Sequence, residues 1–158
     1  MITHPFPPVI GENSRTLILG SFPSVKSRET AFYYGNERNR FWKVVACLYN
    51  ETEPKTIEEK KKLILYNGLA LWDVIKSCEI SGSADGSIRN VTVNDIPALV
   101  HKYKITKIFT NGQKAQQLYD RFLREETGIS SICLPSTSPA FAAISFEGLI
   151  EKWKQIIE

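Results

Sequence analysis

The chain has 158 residues, of which 42% are hydrophobic, 11% aromatic and 23% charged, a composition that excludes a disordered or disulfide-stapled protein. That length buries roughly two thirds of the unfolded surface, which predicts one self-sufficient domain spanning 1–158. Twenty Lys and Arg against 17 Asp and Glu leave a formal charge of +3, too little to argue for a polyanion partner by itself.

Cys47, Cys78 and Cys133 are odd in number and lie among apolar neighbours, so they read as reduced core thiols of a cytoplasmic protein. No C-x-x-C pair is present, and neither a metal nor another cofactor is expected. The opening MITHPFPPVIGENS has no basic start and no continuous apolar run, which predicts no export or membrane signal.

In chain order, the first apolar run, Thr16 to Ser21, reads as a buried strand. Asn39 to Tyr49 (NRFWKVVACLY) then repeats its apolar residues at helical spacing. Thr56 followed by Glu59 forms a capping box that opens a helix over Ile57 to Tyr66. Leu69 to Val74 is a second strand. Asp95 to Tyr103, with Pro97 in its first turn, is a short helix, and Lys107 to Thr110 a third strand. Ala115, Leu118, Tyr119, Phe122 and Leu123 fall on one helical stripe that stops before Gly128. Ser131 to Leu134 is a fourth strand, and Phe146, Leu149, Ile150 and Trp153 form the apolar face of a last helix.

Strands alternating with helices predict an α/β protein with a mostly parallel four-stranded sheet. Such sheets bind ligands beyond the carboxyl ends of their strands, so the loops after Gly20, Trp72, Thr110 and Leu134 come first. None carries a P-loop, a dinucleotide fingerprint, a G-x-S-x-G elbow or an H-E-x-x-H. His4 and His101 read as surface or capping residues. What the loops do contain is hydroxyls, Gly, Pro, aromatics and amides, groups suited to gripping a phosphodiester and stacking a base.

Gly20-Ser21-Phe22-Pro23-Ser24 followed by Phe32 to Trp42 (FYYGNERNRFW) resembles the first motif region of the uracil-DNA glycosylase superfamily. Together with Leu69 to Val74, Thr110-Asn111-Gly112 and Leu134 to Pro139 (LPSTSP), the pattern is most similar to the hypoxanthine-DNA glycosylase branch. The resemblance implies a three-layer α/β/α sandwich and a metal-free enzyme acting on DNA. It places the water-positioning amide at Asn39, because Phe22 stands where many relatives keep a catalytic Asp or Asn.

By the same resemblance, Tyr34 and Phe22 would stack on a flipped base. Asp73, where uracil-specific relatives have Asn, would accept the ring N–H that hypoxanthine and uracil present and adenine lacks. Asn111 would touch the base or backbone, Ser24, Ser136 and Ser138 would grip phosphates, and Ala140 or Phe141 would fill the gap left in the stack. Ser136 and Ala140 replace the His and Leu of strong uracil enzymes, which argues against robust uracil removal.

Simpler roles compete: Asn39 and Asp73 as helix caps, Phe22 in the core, and Ser81 to Asn90 as a solvated loop rather than a DNA-contacting one. Lys60-Lys61-Lys62 reads as a solvated helix face. Lys26, the one lysine in these loops, shows no sign of being a Schiff-base amine, so base removal without strand cleavage is expected. The expected partner is DNA containing deaminated bases, met by a monomer. Uracil or mismatch removal is the nearest alternative, and a non-catalytic damage-binding module the alternative of another class.

Overall fold

The computed structural model describes residues 1–158. Its centre is a four-stranded parallel sheet of β2 (Thr16–Gly20), β3 (Leu69–Asp73), β6 (Lys107–Asn111) and β7 (Ile132–Leu134), in the order β3-β2-β6-β7. All three pairings are parallel, with Ile18 opposite both Leu71 and Phe109. The expected strands and the α/β class therefore stand.

Strand alternation divides the core into two layers. Ile18 faces one way and joins Leu71 and Phe109 against α2 (Phe41–Leu48), α3 (Ile57–Tyr66) and α7 (Phe146–Trp153). Leu17 and Leu19 face the other way, against α4 (Ile96–Tyr103) and α5 (Gln113–Phe122). All three β2 side chains are fully buried, each contributing about 1.5–3 kcal/mol by leaving water.

Helix ends follow the sequence signals closely. Thr56 and Glu59 form both capping-box bonds of α3. Asp95 caps α4, and after α5 one more turn, α6 (Arg124–Thr127), stops at Gly128 in the left-handed region.

The sequence reading missed three features. A short helix, α1 (Val25–Thr30), follows the first strand's loop, capped by Ser24. A second sheet, antiparallel in the order β1-β4-β5, is built from β1 (Ile2–Thr3), β4 (Ile75–Glu79) and β5 (Arg89–Val93). Only Val74 separates β3 from β4, so the two strands read as one apolar run with a polar tail. The expected loop 81–90 is thus a hairpin tip whose last two residues belong to β5. Cysteine burial is also corrected: only Cys78 is buried, while Cys47 and Cys133 are exposed free thiols, because each stands on the solvent side of its element.

Candidate active site

The chain leaves β2 to one side for β3 and returns to its other side for β6, and loops diverge at such a switch point. Here they enclose a cavity of about 110 Å³. Phe22, Ser24, Tyr34, Asn39, Asp73, Asn111, Ser136 and Ser138 all line it, so every expected site residue except the two wedge candidates meets there.

Asn39 sits just ahead of α2, and its Oδ1 accepts a hydrogen bond from the Phe41 N–H at 2.9 Å. The N-cap of α2 is Arg40, so Asn39 is not the helix cap expected from the sequence; its bond from one position ahead orients the amide on the cavity wall with one Oδ1 lone pair still free. Arg40, the next residue, was not singled out from the sequence. Its guanidinium donates to the carbonyls of Ile144 (2.8 Å) and Phe141 (3.1 Å), and its N–H to the carbonyl of Thr137 (3.1 Å). It therefore ties the loop after β7 to the start of α2.

Asp73, at the end of β3, is buried and caps no helix, since a strand follows it. Its Oδ2 lies 2.7 Å from His4 Nε2, and both side chains are almost wholly enclosed. This overturns the surface reading of His4. The cause is β1, which pairs Ile2 with Cys78 and leads into a bond from the His4 N–H to the Lys76 carbonyl at 2.7 Å. Asp73 Oδ1 adjoins Gly20, where any Cβ would collide with it. Asn94, buried, fixes the strand behind by donating from Nδ2 to the carbonyls of Asp73 and Ile75.

Tyr34 is held at φ 52°, in the left-handed region. Phe41 stacks on one face of its ring at 4.1 Å, and its hydroxyl is buried without a hydrogen-bond partner. Burial, then the nearby Asp73 charge, pushes the Tyr34 phenol far above its ordinary value, so it remains an O–H donor. Phe22 is buried beneath the Arg28 guanidinium and edge-on to His4.

The hydroxyls are already oriented. Ser24 Oγ accepts from the Ser27 N–H and donates to Ser27 Oγ as the cap of α1. Ser136 Oγ accepts from the Ser138 N–H, and Ser138 Oγ from the Ala140 N–H, each leaving its own O–H to donate outward. Asn111 exchanges two bonds with Thr137, both 3.0 Å, which clamps this loop onto β6. Gly112, at φ 95°, leaves room for Ser136 that a Cβ would crowd at 3.2 Å. Ala140 and Phe141 stand exposed beyond the cavity, beside a groove of about 780 Å³ that also holds Lys114 and Lys152.

The hairpin tip contributes two residues that sequence reasoning left unassigned. Ser83 Oγ accepts from the Val25 N–H at 2.9 Å, and Asp85 accepts from the Ser21 hydroxyl at 3.0 Å. Desolvation raises the Asp85 carboxyl above its ordinary value, partly countered by that hydroxyl. Lys26 is exposed on α1, and no lysine lines the cavity.

The α/β fold thus carries, at the switch point of its parallel sheet, a small polar cavity walled by an aromatic, an amide and a carboxylate. The sequence pattern of the Uracil DNA glycosylase superfamily matches residues 7–156, and the chain belongs to that superfamily. Among its relatives is a Methanosarcina acetivorans protein named Hypoxanthine DNA glycosylase, 39% identical over 142 residues and covering 89% of each chain. A Methanosarcina barkeri protein of the same name is 31% identical over 134 residues, covering 84% of each. The solution NMR structure of a Methanosarcina acetivorans protein, described as a candidate uracil DNA glycosylase, superposes with a TM-score of 0.82. That pair is 34% identical, with 100% of both chains covered.

Proposed function

We propose that this chain is a monofunctional DNA glycosylase that flips hypoxanthine out of DNA and hydrolyses its N-glycosidic bond, leaving an abasic site. The observation that carries this reading is the convergence of Asn39, Asp73 and the Ser136–Ser138 turn on one cavity, in a chain whose relatives bear that enzyme's name.

Tyr34 and Phe22 receive the flipped base, and Asp73 Oδ1 accepts its ring N–H, which adenine lacks. Asn39, steadied by the Phe41 N–H, accepts a hydrogen bond from water and holds its oxygen against the anomeric carbon. As the bond to the base breaks, positive charge grows on the sugar. Water adds its oxygen there, and its proton leaves to solvent or to the departing base. An amide positions water rather than deprotonating it, so most of the acceleration comes from preorganised electrostatics.

Ser136 and Ser138 donate to the flanking phosphates, Ser24 joins them by turning its hydroxyl away from Ser27 Oγ, Asn111 holds the loop that carries the first two, and Phe141, with Ala140 beside it, occupies the vacated stack. Phe141 is 43% exposed, suiting a plug that inserts only when DNA is present. All these groups come from one chain, in keeping with a monomer.

The test is abasic-site formation on matched oligonucleotides carrying hypoxanthine, uracil or adenine, revealed by alkaline cleavage. Wild type is expected to act on hypoxanthine, and Asn39→Ala to lose at least about a hundredfold in rate while still binding DNA. Release of uracil alone would assign the other specificity, and no release by a folded, DNA-binding protein would leave a damage-binding module.

A further inference from the structure

We propose that His4 is a specificity-determining residue: by donating to Asp73 Oδ2 it leaves Oδ1 the only carboxylate oxygen without a donor, weakens Oδ2 as an acceptor for a second one, and so favours hypoxanthine over guanine. The inference rests on the reading of Asp73 as the acceptor of the base's ring N–H.

Accepting a ring N–H rejects adenine but not guanine, which carries the same ring N–H beside the same carbonyl and adds a 2-amino group on its other side. An unengaged carboxylate suits guanine best, because its two oxygens can accept the ring N–H and the amino N–H side by side. Asp73 is not unengaged. Its Oδ2 is 2.7 Å from His4 Nε2, and the side chains are only 4% and 5% exposed. Since Asp73 is the acceptor, His4 Nε2 carries the hydrogen.

His4 is dedicated to this contact. Its Nδ1 is buried with no partner, so Asp73 is the only polar group its ring meets. Phe6, edge-on at 4.6 Å, and Tyr33 and Phe22 at 6.0 and 6.1 Å fix the ring on its other sides. Hypoxanthine, with only hydrogen at that carbon, fits the remaining Oδ1. Guanine would have to share Oδ2 between its amino group and the His4 N–H, a poorer pairing than the unshared oxygen would give it.

The test measures excision of hypoxanthine from an oligonucleotide with free hypoxanthine or free guanine as competing inhibitor, for wild type, His4→Ala, His4→Leu, His4→Gln and Asp73→Asn. In His4→Ala the ratio of the two inhibition constants should shift toward guanine by about tenfold or more. His4→Leu keeps apolar bulk between Phe6 and Tyr33 but no donor, and should shift the same way if the alanine variant folds poorly. His4→Gln, whose amide can donate to Oδ2, should keep the ratio near that of wild type. A lower excision rate with an unchanged ratio in folded His4→Ala or His4→Leu, checked by thermal melting, overturns the proposal and reduces His4 to a packing residue. Wild-type excision of hypoxanthine by Asp73→Asn overturns the base-reading role of Asp73 itself, a separate result visible without any His4 variant.

Discussion

Tyr34 illustrates how one residue carries opposite demands of folding and chemistry. Its backbone is in the left-handed region and its hydroxyl is buried without a partner, both unfavourable for a structural tyrosine. Removing that hydroxyl costs the fold no more than a weak approach to the Asn111 amide. Tyr34→Phe is therefore expected to melt at or above the wild-type temperature, by up to about 1 kcal/mol. In the proposed reaction Tyr34 serves through its ring, which stacks on the flipped base. Tyr34→Phe should then keep its single-turnover rate on hypoxanthine while Tyr34→Ala loses about tenfold, and equal activity in Tyr34→Ala would remove Tyr34 from base recognition. Asn39 shows the same economy, since the bond that begins a helix also aims an amide.

At the scale of elements, the site is a set of loops fastened by groups outside it. Trp42 and Trp153 donate from their indole N–H to the carbonyls of Tyr33 and Pro135, and Arg40 secures the loop after β7. Arg40→Ala frees the Phe141 and Ile144 carbonyls. Bonds to a charged donor, partly exposed here, suggest a loss of about 1–3 kcal/mol in denaturant unfolding. KM should rise more than kcat falls, because the turn proposed to grip phosphates loosens while Asn39 keeps its Phe41 bond.

The β4–β5 hairpin adds a titrating group at the mouth. Asp85 is exposed overall, but its carboxyl turns into the cavity wall, where partial desolvation raises its pKa, so the folded chain holds that proton somewhat more tightly than the unfolded chain. Ionising Asp85 therefore destabilises the fold, and the favourable term is lost as pH rises from its ordinary value of 3.8 through the raised one. Asp85→Asn should melt higher than wild type at pH 7 and alike below pH 3.8, the unperturbed value. Loss of a negative charge at the mouth should also tighten DNA binding at pH 7, read by fluorescence anisotropy at fixed ionic strength.

Over the whole molecule, a net charge of +3 gives no broad basic face, so attraction for DNA depends on where a few cations stand. Lys114 and Lys152 lie along the groove that adjoins the cavity and Phe141, where a strand leaving the site would run. Lys114→Ala should weaken binding equally for damaged and undamaged oligonucleotides and reduce the salt slope of log K by about one. An effect confined to hypoxanthine-containing DNA would place Lys114 at the base instead.

The sequence by itself determined the parallel sheet, because apolar runs of strand length between helical stripes admit few other arrangements. It also brought forward residues that line one cavity, since ligands of such sheets gather at strand ends and the family resemblance marked Asn39, Asp73 and the Ser136–Ser138 turn. These signals are local: each is written within a few consecutive residues. The antiparallel sheet was hidden, because β1 is two residues long and β4 runs on from β3 across a single valine. Arg40 and His4 were hidden for the same reason, as their partners lie 101 and 104 residues away for Arg40 and 69 for His4. Only the closed fold decides that a histidine four residues into the chain meets an aspartate at the end of a central strand, because no local pattern encodes a contact made by packing.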